Sequence, residues 1–227
     1  MSKTLIQGRL QRAMQQGLQS AYARLKVDPA AFLTRLQRAH GLPIRSFQDM
    51  FLLPPETLDD LANQTIAAST KLALLEGAGM GLGGFFTVVP DVGILSAIVV
   101  RMLQKLSLLY GFEYATEEEE AVFWLAAASA AGLDLGRDFL EKQAVERLVP
   151  RIIERVAVRM GAEVAEKWTA RLIPVASGAI GGALNYYFAR EWGRRAKRHF
   201  RERHLLARAA ARRLPAALPH PASPPAW

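Results

Sequence analysis

Four histidines are the whole supply of imidazole in this chain: His40, His199, His204 and His220. Cysteine is absent, which removes disulfides, thiolate zinc sites and a cysteine nucleophile. His40 falls at the end of a predicted helix, where a cation suits the helix dipole. His199 and His204 are five apart, so they miss the four-residue step that sets two zinc ligands on one helix face. The run Glu117 to Glu120 sits at a predicted helix start and reads as dipole compensation. Asp134 and Asp138 share a helix face, but Arg137 stands beside them and no glycine-bearing calcium loop follows. There is no G-x-x-x-x-G-K-[ST], and the glycines at 77–84 do not follow a strand. We therefore assign no catalytic, cofactor-binding or metal-binding residue, and the sequence identifies no small-molecule substrate.

One carboxylate stands in an unusual place. Residues 77–101 read GAGMGLGGFFTVVPDVGILSAIVVR, with Pro90-Asp91 inside an otherwise apolar, glycine-rich run. A spanning helix needs about 20 apolar residues. Here Asp91 divides the run into 14 uncharged residues before it and nine after it. A carboxylate at mid-bilayer costs about 3 kcal/mol on insertion scales, and a proline breaks the helix at the same point. Two elements joined by a turn fit better, with Asp91 capping the second helix. The glycines include two G-x-x-x-G spacings, the pattern of a glycine zipper, which lets another backbone approach closely. A second apolar segment, LIPVASGAIGGALNYYFA, covers residues 172–189. Gly178 and Gly182 repeat the four-residue spacing, and Asn185 is its only amide side chain. Either segment can be bilayer-inserted or the core of a soluble bundle; the mean hydropathy of +0.07 fits both.

Charge offers a different kind of chemistry. The net charge is +8. Residues 1–27 hold five cations and no acid, and residues 190–213 hold ten Lys/Arg against Glu191 and Glu202, leaving −5 on residues 28–189. A mildly acidic body with two basic ends suits an anionic surface. The basic terminal helix follows directly on the second apolar segment. We assign anionic-surface binding to Arg190, Arg194, Arg195, Lys197, Arg198 and Arg201, with Trp192, Ala196, Phe200 and His199 turned to the body. A juxtamembrane cation gains about 1 kcal/mol near an anionic leaflet.

Helices must position these groups. Abundant Ala and Arg, with sparse β-branched residues, favour an all-α chain. Residues 4–26 carry apolar side chains at helical spacing, from Leu5 to Leu25. That stretch is Arg-containing and acid-free, as interfacial helices and transit peptides are, but such a stripe most often packs on the body. Asp28-Pro29 predicts an N-cap and first helical residue, with an end at Gly41. An irregular connection, with Phe47, Phe51, Leu52 and Leu53 packed down, leads to a helix from Pro55 to about Glu76. The next helix runs from about Asp91 to Tyr110, closed by Gly111 in the left-handed C′ position. Thr116 and Glu119 fit a capping box. A helix from Asp134 is expected to kink or divide at Pro150 and stop near Met160, with a separate short helix over 163–171. Pro174 opens the last helix, to about Arg213. Five prolines in the 14 residues of 214–227 predict a disordered tail.

Two regions are similar to the EcsC protein family. The first is the glycine-rich run, the Pro90-Asp91 turn, a helix and then Tyr110-Gly111-Phe112. The second is PVASGAIGGALNYYFAREWGRRAKRHF, in which Pro174, Gly181, Asn185, Ala196 and Phe200 fill the family's late signature and Ser177 stands where a glycine is expected. The resemblance covers roughly residues 58–203. It implies an α-helical, hydrophobic bacterial protein associated with a membrane, and carries over no catalytic residue.

The expectation is a glycine-rich multi-helix bundle with a basic C-terminal helix. It divides into N-terminal amphipathic helices and linker (1–54), an EcsC-like helical domain (55–213) and the tail. We read it as a non-enzymatic protein on the inner face of the bacterial cytoplasmic membrane, supporting a membrane complex or transport process, with a lipid surface and a membrane protein as partners. The alternative is a soluble cytoplasmic bundle whose basic helix binds nucleic acid or an acidic protein. A third reading is an enzyme using Asp91 and Asn185 in a pocket.

Overall fold

The computed structural model describes residues 3–80, 88–133, 145–169 and 177–213, with side chains over 12–76, 93–133, 148–163 and 182–212. Among the described residues the chain is all α, as expected, with seven α-helices and no strand. They are α1 (Lys3–Arg24), α2 (Pro29–His40), α3 (Pro55–Met80), α4 (Val88–Leu109), α5 (Glu117–Ala130), α6 (Val145–Thr169) and α7 (Ser177–Arg213). A 3-10 turn, Gln48–Leu52, links α2 to α3.

Local chemistry sets several helix ends. Asp28 Oδ1 accepts from Ala30 N–H at 2.9 Å and Ala31 N–H at 3.3 Å, and Pro29 opens α2. Gly41 ends it at φ 60°. Thr116 and Glu119 make the reciprocal capping box that starts α5. Gly111 turns the chain out of α4 at φ 85°, where a Cβ would stand 2.5 Å from the Phe51 ring.

The centre of the fold is the antiparallel pair of α3 and α7, which make the most extensive helix contact. Gly193 lets the two approach: a Cβ there would lie 2.9 Å from Ile66 Cγ1 and from Met102 Sδ of α4. α5 packs on α6 and α7, while α1 lies on α4 and α6. The apolar stripe of α1, with Met14, Leu18, Ala21 and Tyr22, is buried in the same core as Phe200, so the first 54 residues share one core with the rest.

Four expectations are corrected. First, α4 begins at Val88, so Pro90 and Asp91 are its third and fourth residues and Asp91 does not hold the N-cap position. A proline is tolerated there because first-turn N–H groups have no intrahelical acceptor. Second, α3 continues through Gly77 and Gly79 to Met80. Third, α6 runs unbroken past Pro150 to Thr169, merging two predicted helices. Pro150 lies in the second turn from Val145, so it costs one early hydrogen bond to the Glu146 carbonyl and leaves the later turns intact. Fourth, Leu52 is 79% exposed while Phe47 and Leu53 are buried. The start of a helix at Asp134, the opening of α7 by Pro174 and the nature of the tail fall outside the described residues.

Candidate functional site

α7 has 37 residues, roughly 55 Å at 1.5 Å per residue. Its inward face is apolar. Phe188, Ala189, Trp192, Ala196 and Phe200 are buried, along with Asn185. Phe188 stacks on Trp192 with ring centroids 5.6 Å apart. The late-signature residues Asn185 and Phe200 are therefore core residues. Gly181 is helical backbone in α7.

The six predicted cations separate into two sets. Arg195, Lys197 and Arg201 face carboxylates of the fold. Arg195 Nη1 lies 3.3 Å from Glu163 Oε1, its Nε 3.1 Å from Glu191 Oε1, and it also donates to the Ala130 carbonyl at the end of α5. Glu163 accepts from Trp192 Nε1 at 3.1 Å as well. Lys197 Nζ donates to Asn63 Oδ1 at 3.0 Å and stands 3.6 Å from Asp59 Oδ1. Arg201 Nε donates to Asp59 Oδ2 at 2.8 Å.

Arg190, Arg194 and Arg198 form the other set. They are exposed, and steps of four place them on one stripe of α7, which Tyr187 extends. Arg190 lies over the Tyr186 ring at 6.0 Å. No carboxylate pairs with these three among the described residues.

Residues that sequence reasoning did not single out organise the inner set. Asp59 also accepts from the Tyr110 hydroxyl at 2.7 Å. Burial, the largest single influence, pushes the Asp59 carboxyl up. The hydrogen bonds from Tyr110 and Arg201, with the charge of Lys197, outweigh it and leave the carboxyl below its ordinary value. His204 is buried, stacked on Phe51 at 4.7 Å, with Nδ1 2.9 Å from the Tyr110 carbonyl. That contact requires the proton on Nδ1, since a carbonyl only accepts. Burial holds the His204 and His199 imidazoles below the ordinary value. Asp59 lies near the start of α3, where a carboxylate ordinarily offsets the helix dipole, and nothing local reveals its partners 51 and 142 residues away.

Among the described residues no group of His, Asp and Glu is placed to hold a metal ion. The side chain of Asp91 lies outside the described residues, so its meeting with Asn185 does too.

The site is thus a cationic and aromatic helix face on an all-α bundle. The chain matches the model of the EcsC protein family over residues 3–205 and belongs to that family. The match takes in α1 and α2, which precede the region of resemblance. It is 30% identical to Protein EcsC of Bacillus subtilis (strain 168) over 156 residues, which is 65% of this chain and 64% of that protein. It is 27% identical to Uncharacterized protein YdbA of the same organism over 90 residues, covering 40% of this chain and 33% of that protein. The chain thus spans less than two thirds of the length of either relative. No solved structure matches it.

Proposed function

We propose that this chain is a non-enzymatic, membrane-associated protein that rests one end of its α3–α7 pair on an anionic lipid surface. One observation carries the reading: exposed apolar side chains lie at the end of that pair where the exposed cationic stripe of α7 begins, at Arg190. Leu75 is 68% exposed, Leu72 49% and Tyr187 60%. Asp59 opposite Arg201 and Ile66 opposite Gly193 fix an antiparallel register that brings Leu72 and Lys71 to the level of Tyr187 and Arg190. Leucine at the tip, tyrosine at the rim and arginine behind is the order that a membrane interface favours. Gly77 and Gly79 of α3 and Gly178 and Gly182 of α7 fall at that end by the same register, and glycine suits close helix packing.

Among the described residues no helix is long and apolar enough to cross a membrane, so the reading is peripheral or shallowly inserted attachment. The anionic inner leaflet of the bacterial cytoplasmic membrane is the matching surface, and a membrane complex or transport process the matching setting.

Sequential washing of native membranes with low salt, high salt and alkaline carbonate tests this. Release by high salt fits attachment through α7, and retention through carbonate fits shallow insertion of the glycine-rich end. Recovery in the soluble fraction at low salt contradicts the proposal and favours a nucleic-acid or acidic protein partner.

A further inference from the structure

The junction between the late part of α7 and the 3-10 turn is organised around one imidazole. His204 is 1% exposed. Its ring lies flat on the Phe51 ring of the turn, with centroids 4.7 Å apart and planes within 4°. Nδ1 lies 2.9 Å from the Tyr110 carbonyl that follows α4. One helical turn further along α7, Arg208 Nη1 donates to the Leu53 carbonyl at 2.7 Å. The turn's own backbone bonds are long. Asp49 and Met50 N–H reach the Ser46 and Phe47 carbonyls at 3.2 Å, and Leu53 N–H reaches the Met50 carbonyl at 3.3 Å. A 3-10 segment with such bonds depends on side chains to hold it. Phe47, Met50 and Leu53 hold it to the core, and His204 and Arg208 hold it to α7.

The other ring nitrogen is the weak point. His204 Nε2 is buried without a hydrogen-bond partner among the described residues. With the proton on Nδ1, Nε2 carries only a lone pair. Protonation there adds an N–H without an acceptor and a charge in an apolar site. Attraction of the imidazolium to the Phe51 face offsets part of that cost but supplies no acceptor. The surrounding charges are few. From α3 Asp59 favours the charged ring, and from α7 Arg208 opposes it. From α4 the Tyr110 hydroxyl is spent on Asp59. The turn's own carboxylate, Asp49, accepts from the Arg45 and Ser46 N–H groups. Burial outweighs the groups that favour charge.

We infer that His204 is an acid-operated latch: when Nε2 takes up a proton, the 3-10 turn lets go of α7 while the helices stay folded. Release ends the Phe51 stack and loosens the Arg208 bond to Leu53. Phe51 then turns out beside Leu52, which is already 79% exposed. Acid thereby uncovers two neighbouring apolar side chains, at the opposite end of the α3–α7 pair from Tyr187 and Leu72. The latch is independent of the proposed lipid-facing end.

The test uses the full chain with two variants. His204→Gln can still donate to the Tyr110 carbonyl, and His204→Phe keeps a ring on Phe51. Hydrogen exchange of peptides covering 46–54 is followed from pH 7 to pH 4, corrected for the intrinsic rate, with peptides from α4 and α5 as reference. Asp59, held below its ordinary value of 3.8, stays charged over this range. His199 is present in all three chains, so its titration cannot produce a difference among them. Expected in the parent is a loss of protection in the turn of up to about tenfold per pH unit below the ordinary imidazole value of 6.5, the slope of one proton. The reference helices are expected to stay protected, and both variants to hold the turn's protection level. Three results overturn the latch: a turn that stays protected in the parent down to pH 4, an equal loss in parent and variants, or a loss shared by α4 and α5.

Discussion

Arg201 and Asp59 lock the central helix pair: Nε of one lies 2.8 Å from Oδ2 of the other, across 142 residues of chain. The other carboxylate oxygen takes the Tyr110 hydroxyl at 2.7 Å, which ties α4 to the same point. One aspartate thus joins three helices, and the basic helix owes its placement partly to Arg201, a cation that the sequence alone assigns to surface binding.

Asp59→Ala is expected to destabilise the fold by about 2 kcal/mol, the scale of lost hydrogen bonds to a charged group moderated by partial exposure. Asp59→Asn is expected to cost less, because it still accepts from Tyr110. The pH sign follows from the lowered carboxyl. Its contribution is complete above the ordinary aspartate value of 3.8 and is lost as pH falls through the folded-state value. Denaturant titrations from pH 7 downward should show a shallower acid limb in Asp59→Asn than in the parent.

His204 gives a second, separate pH dependence. Burial holds it below the ordinary imidazole value of 6.5, against the smaller opposing effect of the Tyr110 carbonyl. Stability from the neutral ring is therefore complete above that value and declines as pH falls through the folded-state value. His204→Phe keeps an aromatic ring on Phe51 and removes the titration. Its Tm should fall less between pH 7 and pH 5 than the parent's, with His199 supplying the remaining slope.

Gly193→Ala should lower stability by about 1–3 kcal/mol, the usual cost of overpacking a core. Its Cβ would meet Ile66 and Met102 at 2.9 Å, so relief requires α3 and α4 to yield together. Thermal melting of Gly193→Ala beside the double variant Gly193→Ala/Ile66→Val checks this: trimming Ile66 should recover part of the loss.

Helix ends were legible where their chemistry is local. Asp28-Pro29, Gly41, the Thr116–Glu119 box and Gly111 each act within a few residues, and each is where the sequence put it. The basic helix and its buried Trp192, Ala196 and Phe200 were legible from the period of the helix alone. Long-range choices were not. Whether a cation faces water or a carboxylate depends on which helix lies opposite, so Arg195, Lys197 and Arg201 could not be told from Arg190, Arg194 and Arg198. Pro150 does not divide α6, because its effect depends on distance from the helix start, which the sequence leaves open. His204 gave no sign of burial, since its partners are Phe51 and a main-chain carbonyl.

The same division of cations supplies the direct test. Flotation on anionic vesicles compares the parent with Arg190→Gln/Arg194→Gln/Arg198→Gln, with melting measured alongside. At about 1 kcal/mol per cation near an anionic leaflet, the triple variant should bind roughly a hundredfold more weakly. Its Tm should be unchanged, and the parent should be released as salt rises. Undiminished flotation of the triple variant, or no flotation of the parent at low salt, would contradict the membrane-surface account.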